Sequence, residues 1–98
     1  MIHLFGNNYE LIDNYKDGWN LEAFRDRYSD VLDKYDYIVG DWGYSQLRLK
    51  GFYESGKNKI PEELKIGTVE DYLLEYCNFS CARFILKKVE KSRIKEEQ

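Results

Sequence analysis

Apolar and polar positions alternate with period two along residues 44–53 and 79–89, and they follow helical spacing along 21–34 and 68–77. The stretch Tyr35 to Tyr53, YDYIVGDWGYSQLRLKGFY, dominates the pattern. Its first arm, Asp36 to Gly40, carries the strand formers Tyr37, Ile38 and Val39. Its second arm, from Tyr44, sets Leu47, Leu49 and Tyr53 on one face and Gln46, Arg48, Lys50 and Phe52 on the other. Asp41-Trp42-Gly43 between the arms predicts a three-residue turn, with Asp41 as turn former and Gly43 left-handed. That register sets Tyr37 opposite Leu47 and Asp36 opposite Arg48.

The remaining pattern fills in around this hairpin. Ile2 to Phe5, Gly6-Asn7-Asn8 and Tyr9 to Tyr15 predict a first hairpin, with asparagine supplying the turn. Asn20 is placed to cap a helix over Leu21 to about Lys34, with Trp19 and Phe24 as a hydrophobic staple. Leu21, Phe24, Tyr28, Val31, Leu32 and Tyr35 form its apolar stripe. Glu54 to Gly67 predicts a mobile loop with one helical turn near Pro61. Thr68 caps a second helix striped by Val69, Tyr72, Leu73, Tyr76 and Cys77, and Asn78 is its left-handed terminator. In the last strand, Phe79 to Val89, Ala82, Phe84 and Leu86 face one way, and Cys81, Arg83, Ile85 and Lys87 the other. The order ββαββαβ predicts one α+β domain over residues 1–89, with two helices on a largely antiparallel sheet of about five strands. A charged, frayed tail follows over 90–98.

Composition changes this picture little. The 98 residues suffice for one core without staples. No apolar run approaches the ~20 residues of a membrane span, and the N-terminus lacks a basic-then-apolar leader, so a cytoplasmic protein is expected. The net charge of −3 gives no general pull toward nucleic acid.

The runs YDYIVGDWGYSQLRLKGFY and EDYLLEYCNFSC, with the amphipathic segment before them, resemble the YutD-like family of small proteins from Gram-positive bacteria. The resemblance covers roughly two-thirds of the chain, from Trp19 to Leu86, and brings no catalytic residues with it. Relatives often carry glycine at the positions of Ser45 and Ser80 and a non-basic residue at that of Arg83, so the resemblance supports no family-wide role for Arg83.

Chemistry-bearing residues are sparse. Cys77 and Cys81 are spaced C-x3-C, and His3 is the single histidine, too few ligands for a zinc site. The cysteines are expected to be reduced and to pack as small hydrophobes, with no metal and no cofactor. His3 has no nucleophile beside it, and G-D-W-G opens no helix, so neither a catalytic group nor a phosphate loop is indicated. The feature that asks for explanation is the outer sheet face, where alternation sets Gln46, Arg48, Lys50, Phe52, Arg83, Ile85 and Lys87 together. Bases around an aromatic group on an open sheet suit a contact surface, for a protein partner ahead of RNA given the net charge. The expected function is a non-catalytic binding or adaptor protein. A small enzyme and a structural subunit of a larger assembly are the alternatives.

Overall fold

The computed structural model describes residues 2–43, 46–56, 59–77 and 81–89. Among them, strands β1 (Ile2–Leu4) and β2 (Asn7–Tyr15) precede helix α1 (Leu21–Arg27), strands β3 (Tyr37–Gly43) and β4 (Gln46–Phe52) follow, and helix α2 (Val69–Cys77) leads into β5 (Arg83–Val89). All the strand pairs are antiparallel, in the order β1-β2-β5-β3-β4. The α+β class and the ββαββαβ order are as the sequence predicts. The last strand lies inside the sheet, between the two hairpins.

The sheet is buried on both faces. On one, Tyr9, Ile38, Leu47, Phe84 and Leu86 pack with Phe24 of α1 and with Leu32 beyond it. On the other, Val39, Phe52 and Ile85 pack with Leu73, Val69 and Tyr72 of α2. The consecutive apolar residues Ile38-Val39 and Phe84-Ile85-Leu86 are the sequence signature of strands covered on both sides. The open outer face expected from the alternation is therefore closed by α2.

Local chemistry sets the helix starts. Asn20 is extended, and its side-chain oxygen accepts from the Ala23 N–H at 3.0 Å. The Trp19 ring lies 5.3 Å from Phe24, forming the expected staple. The helix stops at Arg27, not near Lys34: Tyr28 turns extended, and a 3₁₀ segment, Asp30–Lys34, takes over after Ser29. Serine and aspartate compete with helical hydrogen bonding at this point. The break lets Tyr28 stack on Phe5 at 4.1 Å and buries Leu32 while leaving Val31 exposed. Thr68, expected to cap α2, sits in a 3₁₀ turn running into the helix, and its hydroxyl donates back to the Lys65 carbonyl at 2.8 Å. Tyr76 and Cys77 side chains, Asn78 and the 90–98 tail lie outside the described residues.

The turns and registers correct both expected hairpins. In the first hairpin, Leu4 pairs with Asn7, so the left-handed positions fall on Phe5 (φ 54°) and Gly6 (φ 79°) and the asparagines belong to β2. In the central hairpin, β3 runs on through Asp41-Trp42-Gly43, which pair with Arg48, Leu47 and Gln46. Gly43 is a strand residue without positive φ, and Asp41 is no turn former. The expected acid–base pair is made by Asp41, because Asp36 instead accepts the Glu54 N–H at 2.9 Å. The segment after β4 is tied along Tyr53, whose N–H donates to the Leu64 carbonyl at 2.7 Å and whose carbonyl accepts from Ile66 at 2.8 Å.

Candidate functional site: a charged row across the second sheet face

Residues paired across a ladder share a face, so the registers define a row running over four strands. Tyr15 of β2 pairs with Arg83 of β5, Arg83 with Asp41 of β3, and Asp41 with Arg48 of β4. Asp41 is 0 % exposed, and its Oδ2 accepts from the Arg48 guanidinium at 2.5 Å. Burial raises the Asp41 carboxyl above its ordinary range, with Arg48 opposing that shift. Its Oδ1 is buried and has no hydrogen-bond partner among the described residues. The Arg48 side chain is 43 % exposed. The Arg83 guanidinium lies 4.3 Å from the centroid of the Tyr15 ring, and the Lys16 ammonium reaches the same ring at 5.6 Å. Tyr15 is 38 % exposed. The row thus has an anchored centre and exposed ends.

The seven residues expected to form one surface are dispersed. Gln46 and Arg48 remain exposed on β4. Arg83 is half-buried in the row, and Lys87 is half-buried between Glu10 and Tyr37. Phe52 is 0 % exposed and Ile85 is 9 % exposed, both within the core beneath α2. That placement corrects the reading of Phe52 as a stacking aromatic and of Ile85 as a contact residue. The Lys50 ammonium lies over the Phe52 ring at 5.5 Å and the Tyr72 ring at 6.0 Å. Asp41 and Tyr15 were absent from the expected surface. Following the alternation Tyr37, Val39, Asp41 past Gly40 would have found the first, since all three share one face of β3.

The family model described as "Putative antitoxin YutD-like" matches residues 3–87. A Bacillus subtilis (strain 168) protein named "Putative antitoxin YutD" is 57% identical over 91 residues, covering 93% of this chain and 100% of the relative. The chain belongs to the YutD-like family. A solution NMR structure of protein yutD from B. subtilis, 57% identical, superposes with a TM-score of 0.78 over 93% of this chain and 83% of that one.

In this YutD-like chain a second concave feature lies beside α2. Lys50, Glu62, Glu63, Thr68, Asp71, Tyr72 and Glu75 line a cleft of ≈ 510 Å³. Among the described residues, no three His, Cys, Asp or Glu side chains are grouped to hold a metal ion. Cys81 is disulfide-bonded, which corrects the expectation of free thiols. Cys77 is the last residue of α2, and Cys81 lies before β5 begins at Arg83. No helix among the described residues is long and apolar enough to cross a membrane.

Proposed function

We propose that this YutD-like chain is a non-catalytic binding protein for a protein partner, engaged at the exposed ends of the Tyr15–Arg83–Asp41–Arg48 row. The observation carrying this reading is Asp41. A fully buried carboxylate holds a guanidinium that is 43 % exposed, so the Arg48 fork is oriented before any partner arrives. Asp41 itself is out of reach of a substrate, so its raised proton affinity serves no reaction at the surface. The name of the B. subtilis relative, putative antitoxin, agrees with a role carried out by binding a protein. The net charge of −3 favours protein over nucleic acid.

A tagged full chain, captured from lysate with and without nuclease, tests the reading. A stoichiometric protein retained after nuclease treatment is expected. Retention only in untreated lysate would replace the protein partner with RNA, and no retention under either condition would overturn the binding role.

A further inference from the structure

We infer that the cleft beside α2 is a second docking site, which takes a basic segment of a protein partner through two or more Lys or Arg side chains. None of its lining residues belongs to the charged row, so the inference stands whether or not the row binds. At ≈ 510 Å³ the cleft falls within the ~300–1,000 Å³ of ligand sites. Its walls are tied together. Tyr53 bridges the segment 64–66 to the end of β4, and the Thr68 hydroxyl donates to the Lys65 carbonyl at 2.8 Å. One wall is aromatic: the Tyr72 ring meets Phe52 edge-on at 5.7 Å, and the Lys50 ammonium lies over both rings. The chain's own lysine thus seats an alkylammonium group in the cleft.

Charge decides the occupant. Four of the seven lining residues are acids and one is a base. Glu62 is held by Lys65 at 3.0 Å. Glu63, Asp71 and Glu75 are exposed, and among the described residues no hydrogen bond or ion pair engages their carboxylates. In the lining, three carboxylates therefore stand against one ammonium, that of Lys50. Folding does not ask for this excess. Asp71 suits the first turn of α2, but Glu75 stands in the last turn, where the helix dipole disfavours a carboxylate and no base compensates it. Helix α1, by contrast, carries Arg25 and Arg27 in its last turn. A metal ion is a poor match, since among the described residues no three such side chains are grouped to ligate one. Carboxylates spread around a cleft match cationic groups spaced along a peptide.

Isotope-labelled full chain titrated with a hexa-arginine peptide tests the inference by amide chemical shift, with hexaglutamate, spermine and magnesium chloride as comparisons. Hexa-arginine should move the signals of Lys50, Glu63, Thr68, Asp71, Tyr72 and Glu75, and hexaglutamate should not. Asp71→Asn with Glu75→Gln removes two charges from exposed positions and should weaken the peptide at least tenfold. Glu22→Gln with Asp26→Asn removes the same charge from exposed positions of α1 and should leave the affinity unchanged. Lys50→Gln, which takes away the opposing ammonium, should tighten the peptide, a gain that damage to the fold would not produce. Shifts scattered over the whole surface, equal losses in the two double variants, or no gain in Lys50→Gln would each overturn the inference. So would spermine or magnesium moving the same signals at lower concentration than the peptide, which would make the occupant a small cation.

Discussion

A methyl group added at Gly18 would lie 2.4 Å from the Arg83 backbone nitrogen, and one at Gly40 would lie 2.2 Å from the Phe84 ring. The first obstacle is main chain of an interior strand, and the second is a fully buried ring locked against Trp19 and Phe24. Neither can step aside cheaply. Gly18→Ala and Gly40→Ala should each cost about 2 kcal/mol or more in denaturant unfolding. Gly43→Ala would meet the Arg48 guanidinium at 3.2 Å, a side-chain group that need give by only a few tenths of an ångström against its Asp41 partner, and should cost about 1 kcal/mol or less. Equal losses at all three positions would contradict the register. Asp41 offers a prediction of a different kind. Its folded pKa is raised above the unfolded value, so the ionised group opposes folding at neutral pH, and that penalty is relieved as pH falls through the folded pKa. Asp41→Asn should therefore melt at a higher temperature than wild type at pH 7, and the gap should narrow on acidification. A gap that widens as pH falls would mean that the Arg48 pair outweighs burial.

At the scale of elements, what could be read in the sequence was local. Asn20, Trp19 and Phe24 act within five residues of one another, so the start of α1 was legible from spacing alone. Asn20→Ala should lower stability by ~1 kcal/mol in thermal unfolding, and an unchanged melt would show the cap to be redundant. Alternation correctly put Phe52 and Ile85 on the face opposite Leu47 and Phe84. It could not say whether that face met solvent or a helix, because α2 arrives from a distant part of the chain. The register failed for a related reason. Asp41-Trp42-Gly43 has turn composition, yet Trp42 packs against the first core and donates its indole N–H to the Gly18 carbonyl at 2.7 Å, which keeps the strand going. Tertiary contact overrode local preference. Phe52→Ala should accordingly behave as a core cavity, costing about 3–5 kcal/mol, with Leu73→Ala costing about 2–5 kcal/mol beside it. A stable Phe52→Ala protein that had lost only its binding would restore the surface role that burial denies.

For the whole molecule, the decisive fact is the position of β5. In the sheet of the described residues the two hairpins are joined by this last strand, which pairs with β2 on one side and β3 on the other. Such long-range pairing is invisible to periodicity, which reports faces and not neighbours. It also sets where the sheet should be most rigid. Strands β3 and β5 are paired on both edges and covered on both faces, whereas β1 is three residues long at the margin. Amides of Ile38–Gly40 and Phe84–Leu86 should exchange with solvent only through global unfolding, and those of β1 should exchange earlier through local opening. Deuterium exchange followed by NMR would decide it, and β5 amides exchanging as fast as β1 would refute the central placement. The same two strands carry Asp41 and Arg83, the middle of the charged row. The proposed contact surface is thus mounted on the slowest-opening part of the sheet and would need little ordering when a partner binds.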